Sequence, residues 1–238
     1  MIPYTALTYI NLGFLKIPTY GVIVAVAFLL CGWLTARKAE KTGASKEVVW
    51  DLFFWLLIGA IVGMRIGYVV INLDYFLSEP LEILKIWNGG AVFFGGLFGA
   101  FLSAGLYLKL KKIDFWRYAN LFAPYIFLGH AIGRIGCFVV PDDYGIASTL
   151  PWAMDFGDGI LRHPTQLYLV FANLGAFFAL RKIKKNTFAW YLIFYSVLRF
   201  LMDFIRYFPE GRIYGLSVGQ LIAVPMFIAG LVLLWKKK

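Results

Sequence analysis

The sequence predicts an all-α membrane protein with seven transmembrane helices, its N-terminus outside and its C-terminus cytoplasmic. Three observations carry that expectation. The 238 residues are 61% hydrophobic and only 15% charged, with a mean hydropathy of +0.74, too apolar for a soluble domain of this length. The apolar residues fall in runs long enough to cross a bilayer. The basic residues sit in short clusters between those runs, as cytoplasmic loops do. The formal charge of +10 therefore points away from nucleic acid, and the 19% aromatic share suits Trp and Tyr at both interfaces.

Residues 1–19, with Pro3, Asn11, Gly13 and Pro18, read as an interfacial lead-in. They show no basic stretch followed by a small-residue cleavage site, so the first helix is expected to act as the insertion signal. That helix runs from about Tyr20 to Arg37, and the second from about Val48 to Asn72 with Gly59, Gly63, Arg65 and Gly67. Residues 73–88 are amphipathic and suit the interface. The third span starts at Gly89-Gly90, ends at Lys109, and is rich in small residues that favour close helix packing. The fourth runs from about Trp116 to Val140 with a kink expected at Pro124. A polar excursion over 141–164 follows. The last three spans are about Thr165 to Leu180, Phe188 to Arg206 and Leu216 to Trp235, in one polytopic domain over 1–238.

Orientation comes from the alternation of charge. Arg37, Lys38, Lys41 and Lys46, then Lys109, Lys111, Lys112 and Arg117, then Arg181, Lys182, Lys184 and Lys185 share one side with the C-terminal lysines. The other side holds Lys16, Lys85, Arg162 and Arg212 and most loop carboxylates. The positive-inside rule makes the first side cytoplasmic and the excursion extracytoplasmic.

That topology gathers Tyr20, Arg65, Arg134, Gln166, Arg199, Asp203, Arg206 and Gln220 in the outer half of the bilayer. Arg134 stands out, in the stretch Gly129-His130-Ala131-Ile132-Gly133-Arg134-Ile135-Gly136-Cys137. A guanidinium in a span costs a few kcal/mol unless it is paired or hydrated. Arg199 and Asp203 are four apart and can pair. Four in-membrane arginines against one carboxylate suit a phosphate at headgroup depth. Plainer roles stand beside this one: Arg65 and Arg206 as helix-end residues on lipid headgroups, Arg199 with Asp203 as an interhelical strut, His163 as a helix cap. His130 reads as a packed, hydrogen-bonded residue. Cys31 and Cys137 form no metal spacing and no disulfide, and Cys137 reads as a small core residue.

In chain order, further stretches resemble the bacterial prolipoprotein diacylglyceryl transferase family. They are Tyr20-Gly21, Gly63-Met64-Arg65-Ile66-Gly67-Tyr68, Trp87-Asn88-Gly89-Gly90, Gly95-Gly96-Leu97, Gly133-Arg134-Ile135-Gly136 with Phe138, Tyr144-Gly145, and Arg162-His163-Pro164-Thr165-Gln166-Leu167-Tyr168. Arg199, Asp203 and Arg206 follow at the spacing of the sixth-helix motif, then Leu216-Ser217-Val218-Gly219-Gln220 with Pro225 and Met226.

The resemblance implies transfer of the diacylglyceryl group of phosphatidylglycerol to the lipobox cysteine of a prelipoprotein. It implies release of glycerol phosphate at the outer leaflet of the bacterial inner membrane. Its expected partners are that lipid, the prelipoprotein signal peptide and the bilayer, with no metal and no cofactor. It places Arg134, Arg199, Tyr20, Gly133, Gly145, Arg65 and Gln166 on substrate, with Arg134 and Arg199 on the phosphate. Asp142, Asp203 and His163 are the expected catalytic residues, and Asp142 falls on the family's glutamate position.

Several positions depart from the family pattern. Phe94 stands for a histidine, Cys137 for an asparagine, Val140-Pro141-Asp142 for Asn-Gly-Glu, and Asp203 and Leu169 for glutamates; the arm between Tyr144 and His163 is short. Two other readings stay open. One is a paralogue that uses an anionic phospholipid with another acceptor, the other a lipid-binding or transport protein without chemistry.

Overall fold

Eight α-helices dominate the computed structural model, which describes residues 4–208 and 211–236. Pro3 of the lead-in and Lys237 and Lys238 of the C-terminal cluster lie outside the described residues. The chain forms two units, Met1–Thr35 with Ala119–Lys238, and Ala36–Tyr118.

The first unit opens with a hairpin of β1 (Tyr9–Asn11) and β2 (Lys16–Pro18), in register Ile10 to Ile17. It contains most of helices α1 (Thr19–Lys41) and α5 (Phe115–Val139), each of which runs on into the second unit. Lys38 and Lys41 in the last turn of α1 face the negative end of its dipole. Pro124 lies inside α5, which continues through it unbroken. The same unit carries a small hairpin of β3 (Met154–Asp155) and β4 (Leu161–Arg162), then helices α6 (Thr165–Lys182), α7 (Thr187–Met202) and α8 (Val218–Lys236). Helices α7 and α8 pack along their length. Between them lies an apolar groove of about 340 Å³ lined by Val197, Phe200, Leu201, Val224, Phe227 and Ile228. None of the expected site residues lines it.

The second unit holds α2 (Lys46–Ile71), the short α3 (Leu73–Ser78) and α4 (Phe93–Leu110). Ser45 caps α2 by accepting the Val48 N–H at 3.1 Å, as an extended N-cap residue does. Between α2 and α4 the packing is backbone on backbone. A Cβ on Gly63 would collide with the Gly95 carbonyl, one on Gly59 with the Gly99 carbonyl, and one on Gly99 with the Gly59 carbonyl. Small residues four apart, Gly59-Gly63-Gly67 against Gly95-Gly99-Ser103, let the two axes approach this closely. The Ser103 hydroxyl then donates across the seam to the Trp55 carbonyl at 2.7 Å.

Each expected span contains a helix, and four helices are long and apolar enough to cross a membrane: α1, α2, α5 and α8. Helix α4 from Phe94 and helix α7 are shorter apolar helices. Three boundaries differ from expectation. The third helix starts at Phe93 because Gly89 and Gly90 take φ of +82° and +81°, outside the helical region. The first helix runs on to Lys41, a turn past the expected Arg37. Pro80 opens a separate 3₁₀ turn after α3, and a second covers Ile86–Asn88. The sixth expected span stops at Met202, not Arg206, because the chain leaves the helix after Asp203 to pair with the excursion.

Gly63→Val should destabilise the protein by about 1–3 kcal/mol or prevent its folding, because the backbone seam cannot relax around a branched side chain. Gly105→Ala should be neutral or slightly stabilising, since a Cβ there meets nothing within 4 Å. Thermal unfolding of the two purified variants in detergent checks the contrast.

Candidate active site

The polar excursion is fixed by backbone pairing before any side chain acts. Gly145 N–H donates to the His163 carbonyl at 2.9 Å, and His163 N–H to the Ile146 carbonyl at 3.1 Å. On the other side, Ile146 N–H donates to the Ile205 carbonyl at 2.9 Å and Tyr207 N–H to the Tyr144 carbonyl at 3.1 Å. Residues 144–146 are thus clamped between the approach to α6 and the turn after α7. Gly145 lies in the middle, where a Cβ would come within 2.6 Å of the His163 Cβ and 2.8 Å of the Ile205 carbonyl. It was expected on substrate. The structure gives it a different task, closing this three-way junction.

The junction brings Asp143 to the arginines. Arg134 Nη1 donates to Asp143 Oδ2 at 2.7 Å, and Arg206 Nη2 donates to Asp143 Oδ1. Arg206 Nη1 reaches Asp203 Oδ1 at 3.1 Å, and Arg199 Nε lies 3.3 Å from Asp203 Oδ2. The result is a continuous alternation: Arg134, Asp143, Arg206, Asp203, Arg199. Burial is deepest in its centre, with Asp203 at 0% and Arg206 at 5% exposed.

Asp203 is held from every side. Its second oxygen also accepts the Ser217 hydroxyl. Ser217 and Gln220 form a reciprocal cap on α8: Ser217 Oγ accepts the Gln220 N–H at 3.0 Å, and Gln220 Oε1 accepts the Ser217 N–H at 2.9 Å. A Cβ on Gly219 would collide with both Arg199 Nε and Asp203 Oδ2, so the glycine lets α8 lie against the ion pair. Asp203 was expected to be catalytic. Its fully buried carboxylate accepts from Arg206 and Ser217 and lies against Arg199, so it anchors the arginines.

Asp142 and Asp143 point apart. The Asp142 carboxylate is exposed and accepts the Asp143 N–H at 2.8 Å. Its own N–H donates to the Cys137 carbonyl at 3.1 Å, which sets it just beyond the end of α5. Asp143 adopts φ of +60°, the left-handed conformation that Asp tolerates better than most residues. Burial alone would raise the Asp143 pKa, but Arg206 and Arg134 outweigh it and hold the carboxyl below the usual aspartate range.

The remaining expected residues divide between the ends of the site. Gln166 is fully buried and donates to the Asp142 carbonyl at 2.8 Å, beside Thr165 on the Asp143 carbonyl at 2.8 Å. Gln166 therefore braces the carboxylate turn. The Tyr20 ring packs on Gly136, and a Cβ on Gly133 would meet nothing within 4 Å. Gly133 thus leaves space next to Arg134 that no protein side chain fills. His163 does not cap α6 with its side chain: its Nδ1 lies 3.3 Å from the Tyr168 hydroxyl, which accepts Trp152 Nε1 at 2.7 Å. His130 is hydrogen-bonded to the Tyr191 hydroxyl at 3.2 Å, in line with its reading as a packed residue.

Arg65, in the second unit, departs from expectation. A guanidinium has five N–H donors. Those of Arg65 meet the carbonyls of Ile83, Gly89, Gly90, Glu82 and Lys85, and the group lies over the Tyr68 and Phe76 rings at 5.7 and 5.3 Å. Nothing remains for a phosphate. Arg65 ties down the irregular segment before α4.

Arg206 and Asp143 join the site, although the sequence alone favours a headgroup-facing role for Arg206 and favours Asp142 over Asp143 as the base. Arg206 was read as a headgroup-facing helix end, although 199, 203 and 206 share the i, i+4, i+7 face of a helix. That periodicity was the available signal.

Comparison with known sequences decides the family. The sequence model described as prolipoprotein diacylglyceryl transferase matches residues 8–236. The chain belongs to that family. Among similar proteins named phosphatidylglycerol–prolipoprotein diacylglyceryl transferase, that of Geobacter sulfurreducens is 35% identical over 246 residues, covering 96% of this chain and 94% of the relative. That of Vibrio cholerae is 34% identical over 245 residues, covering 96% and 90%. That of Pasteurella multocida is 35% identical over 241 residues, covering 94% and 89%. In this member of the family, the two arginines expected on phosphate belong to one buried alternation with Arg206.

Because the folded-state pKa of Asp143 is lowered, its contribution to stability is complete above the unfolded aspartate value of about 3.9 and is lost as pH falls through the folded value. Acid unfolding followed between pH 6 and 2 should show this loss, and Asp143→Asn should remove that component. A second expectation concerns Arg65. Arg65→Gln should speed amide exchange over residues 79–90 while leaving phosphate affinity unchanged, as hydrogen exchange and a binding titration would show.

Proposed function

We propose that this chain transfers the diacylglyceryl group of phosphatidylglycerol to the lipobox cysteine thiol of a prelipoprotein. The observation that carries the proposal is the arginine–carboxylate alternation, within a chain of this family. Its three guanidiniums and two carboxylates leave one net positive charge. Arg134 engages a carboxylate through Nη1 alone, and Arg199 lies against Asp203 on its Nε side. The opposite edges supply the paired, planar donors that a phosphate accepts.

In the reaction, the thiolate sulfur attacks the glyceryl carbon that carries the phosphate ester. The C–S bond forms as the C–O bond breaks, and the electron pair leaves with glycerol phosphate. Arg134 and Arg199 stabilise the negative charge that grows on the departing phosphate. The thiol proton goes to a base. Asp143 and Asp203 are locked on guanidiniums, and the His163 ring is engaged with Tyr168. Asp142 is exposed at the end of α5 and is the base we assign.

The same reading sets seven spans, α1, α2, α4, α5, α6, α7 and α8, in one domain, with the N-terminus outside and the basic connections in the cytoplasm. The excursion at 141–164 then meets the outer leaflet of the inner membrane, where secreted prelipoproteins emerge. Phe94 at the family's histidine position favours a second reading, a paralogue with another acceptor for the same lipid.

Transfer of labelled diacylglyceryl to a lipobox peptide by the purified protein tests the proposal. We expect transfer by the native protein and a loss of at least about 100-fold in Arg134→Ala. Lipid binding without transfer to the peptide would favour the paralogue. Full activity in Asp142→Ala would overturn the assignment of the base.

A further inference from the structure

We propose that Asp143 sets the charge of the arginine site, so that the site prefers a singly charged phosphodiester to a doubly charged phosphomonoester. This rests on the reading above, in which the lipid is the diester and glycerol phosphate the departing monoester.

Two adjacent residues at this turn, Asp142 and Asp143, are acidic. The one on the family position, Asp142, faces solvent. Its neighbour Asp143 faces inward and touches both Arg134 and Arg206. Its backbone is set independently of those arginines. The Thr165 hydroxyl donates to its carbonyl at 2.8 Å, and the Asp142 carboxylate accepts its N–H at 2.8 Å. The left-handed φ of +60° is held by those two bonds. The carboxylate is thus presented to the arginines by a preformed turn.

The charges nearby can be counted. Asp143 and Asp203 offset two of the three guanidiniums, leaving a charge of plus one. Arg162 is neutralised by Asp158 at 2.6 Å. Arg212, whose Nη2 donates to the Asp203 carbonyl at 2.9 Å, and the exposed Asp142 beside Asp143 add one charge of each sign, so the count stays at plus one. A second observation points to an anion inside the cluster: Arg206 Nε is buried without an acceptor among the described residues. An unpaired N–H of a buried guanidinium is a donor that a phosphate oxygen would satisfy.

A phosphodiester carries one negative charge and brings such a site to neutrality. A phosphomonoester carries about 1.5 to 2 at pH 7 and leaves excess negative charge in a poorly hydrated place. The lipid is therefore retained and the product of its cleavage released. Removing the Asp143 charge raises the site to plus two and reverses that preference.

The test is equilibrium binding to the purified protein, with the monoester glycerol phosphate and inorganic phosphate as the more highly charged probes and soluble short-chain phosphatidylglycerol as diester. Asp143→Asn should tighten glycerol phosphate and inorganic phosphate by about three- to tenfold while changing diester affinity less. Arg206→Gln should shift the preference the opposite way, and Asp143→Asn with Arg206→Gln should return it to the native ratio. Should Asp143→Asn not fold, the opposite shift expected of Arg206→Gln still decides. Equal weakening of the diester and the more highly charged probes in the variants, or no change in their ratio, overturns the proposal and leaves Asp143 a structural brace. Because binding needs no peptide, failure of the transferase reading shows separately, as absence of transfer to the lipobox peptide by the native protein.

Discussion

Three guanidiniums cannot share a buried space unless carboxylates stand between them. In this protein Asp143 and Asp203 are those carboxylates, and much of the first unit is arranged to put them there. Asp203 comes from the end of α7 and is closed over by the cap of α8. Asp143 comes from the excursion, which is clamped to the turn after α7 by backbone hydrogen bonds and by the Arg206–Asp143 ion pair. An isolated charge in such a place costs several kcal/mol, whereas an alternating row shares that cost among partners. The arginines are therefore held in place by partners from the protein itself.

The two units solve the problem of a buried arginine differently. Arg134 and Arg206 are balanced by carboxylates, which leaves net charge and unused donors. Arg65 is balanced by carbonyl dipoles, which fill all its donors and leave it inert. The residue type is the same in both cases. What separates a binding group from a structural one is whether the partners exhaust its hydrogen-bonding capacity.

The helices were legible in the sequence because a long apolar run has few other solutions in a membrane. Every expected span holds a helix, and the errors fall at ends such as Phe93 and Met202, where glycine torsions and nonlocal pairing decide. Arg134 and the pairing of Arg199 with Asp203 were legible too, the first from its cost and the second from its spacing. The role of Arg206 was not. Its burial depends on residues 144–146 returning to residues 205–207, a contact between segments some sixty positions apart that no local pattern announces. Nor could composition tell Asp142 from Asp143. One left-handed torsion sends one side chain outward and its neighbour inward.

The tie between Asp203 and the cap of α8 has a mechanical consequence. Asp203 accepts from Ser217 and rests against Gly219, so the last turn of α7 and the first turn of α8 behave as a riveted joint. Prising them apart at that end would strip a fully enclosed anion of a partner and uncap a helix at once. This corner of the helix pair therefore resists separation more than an apolar contact of the same size would.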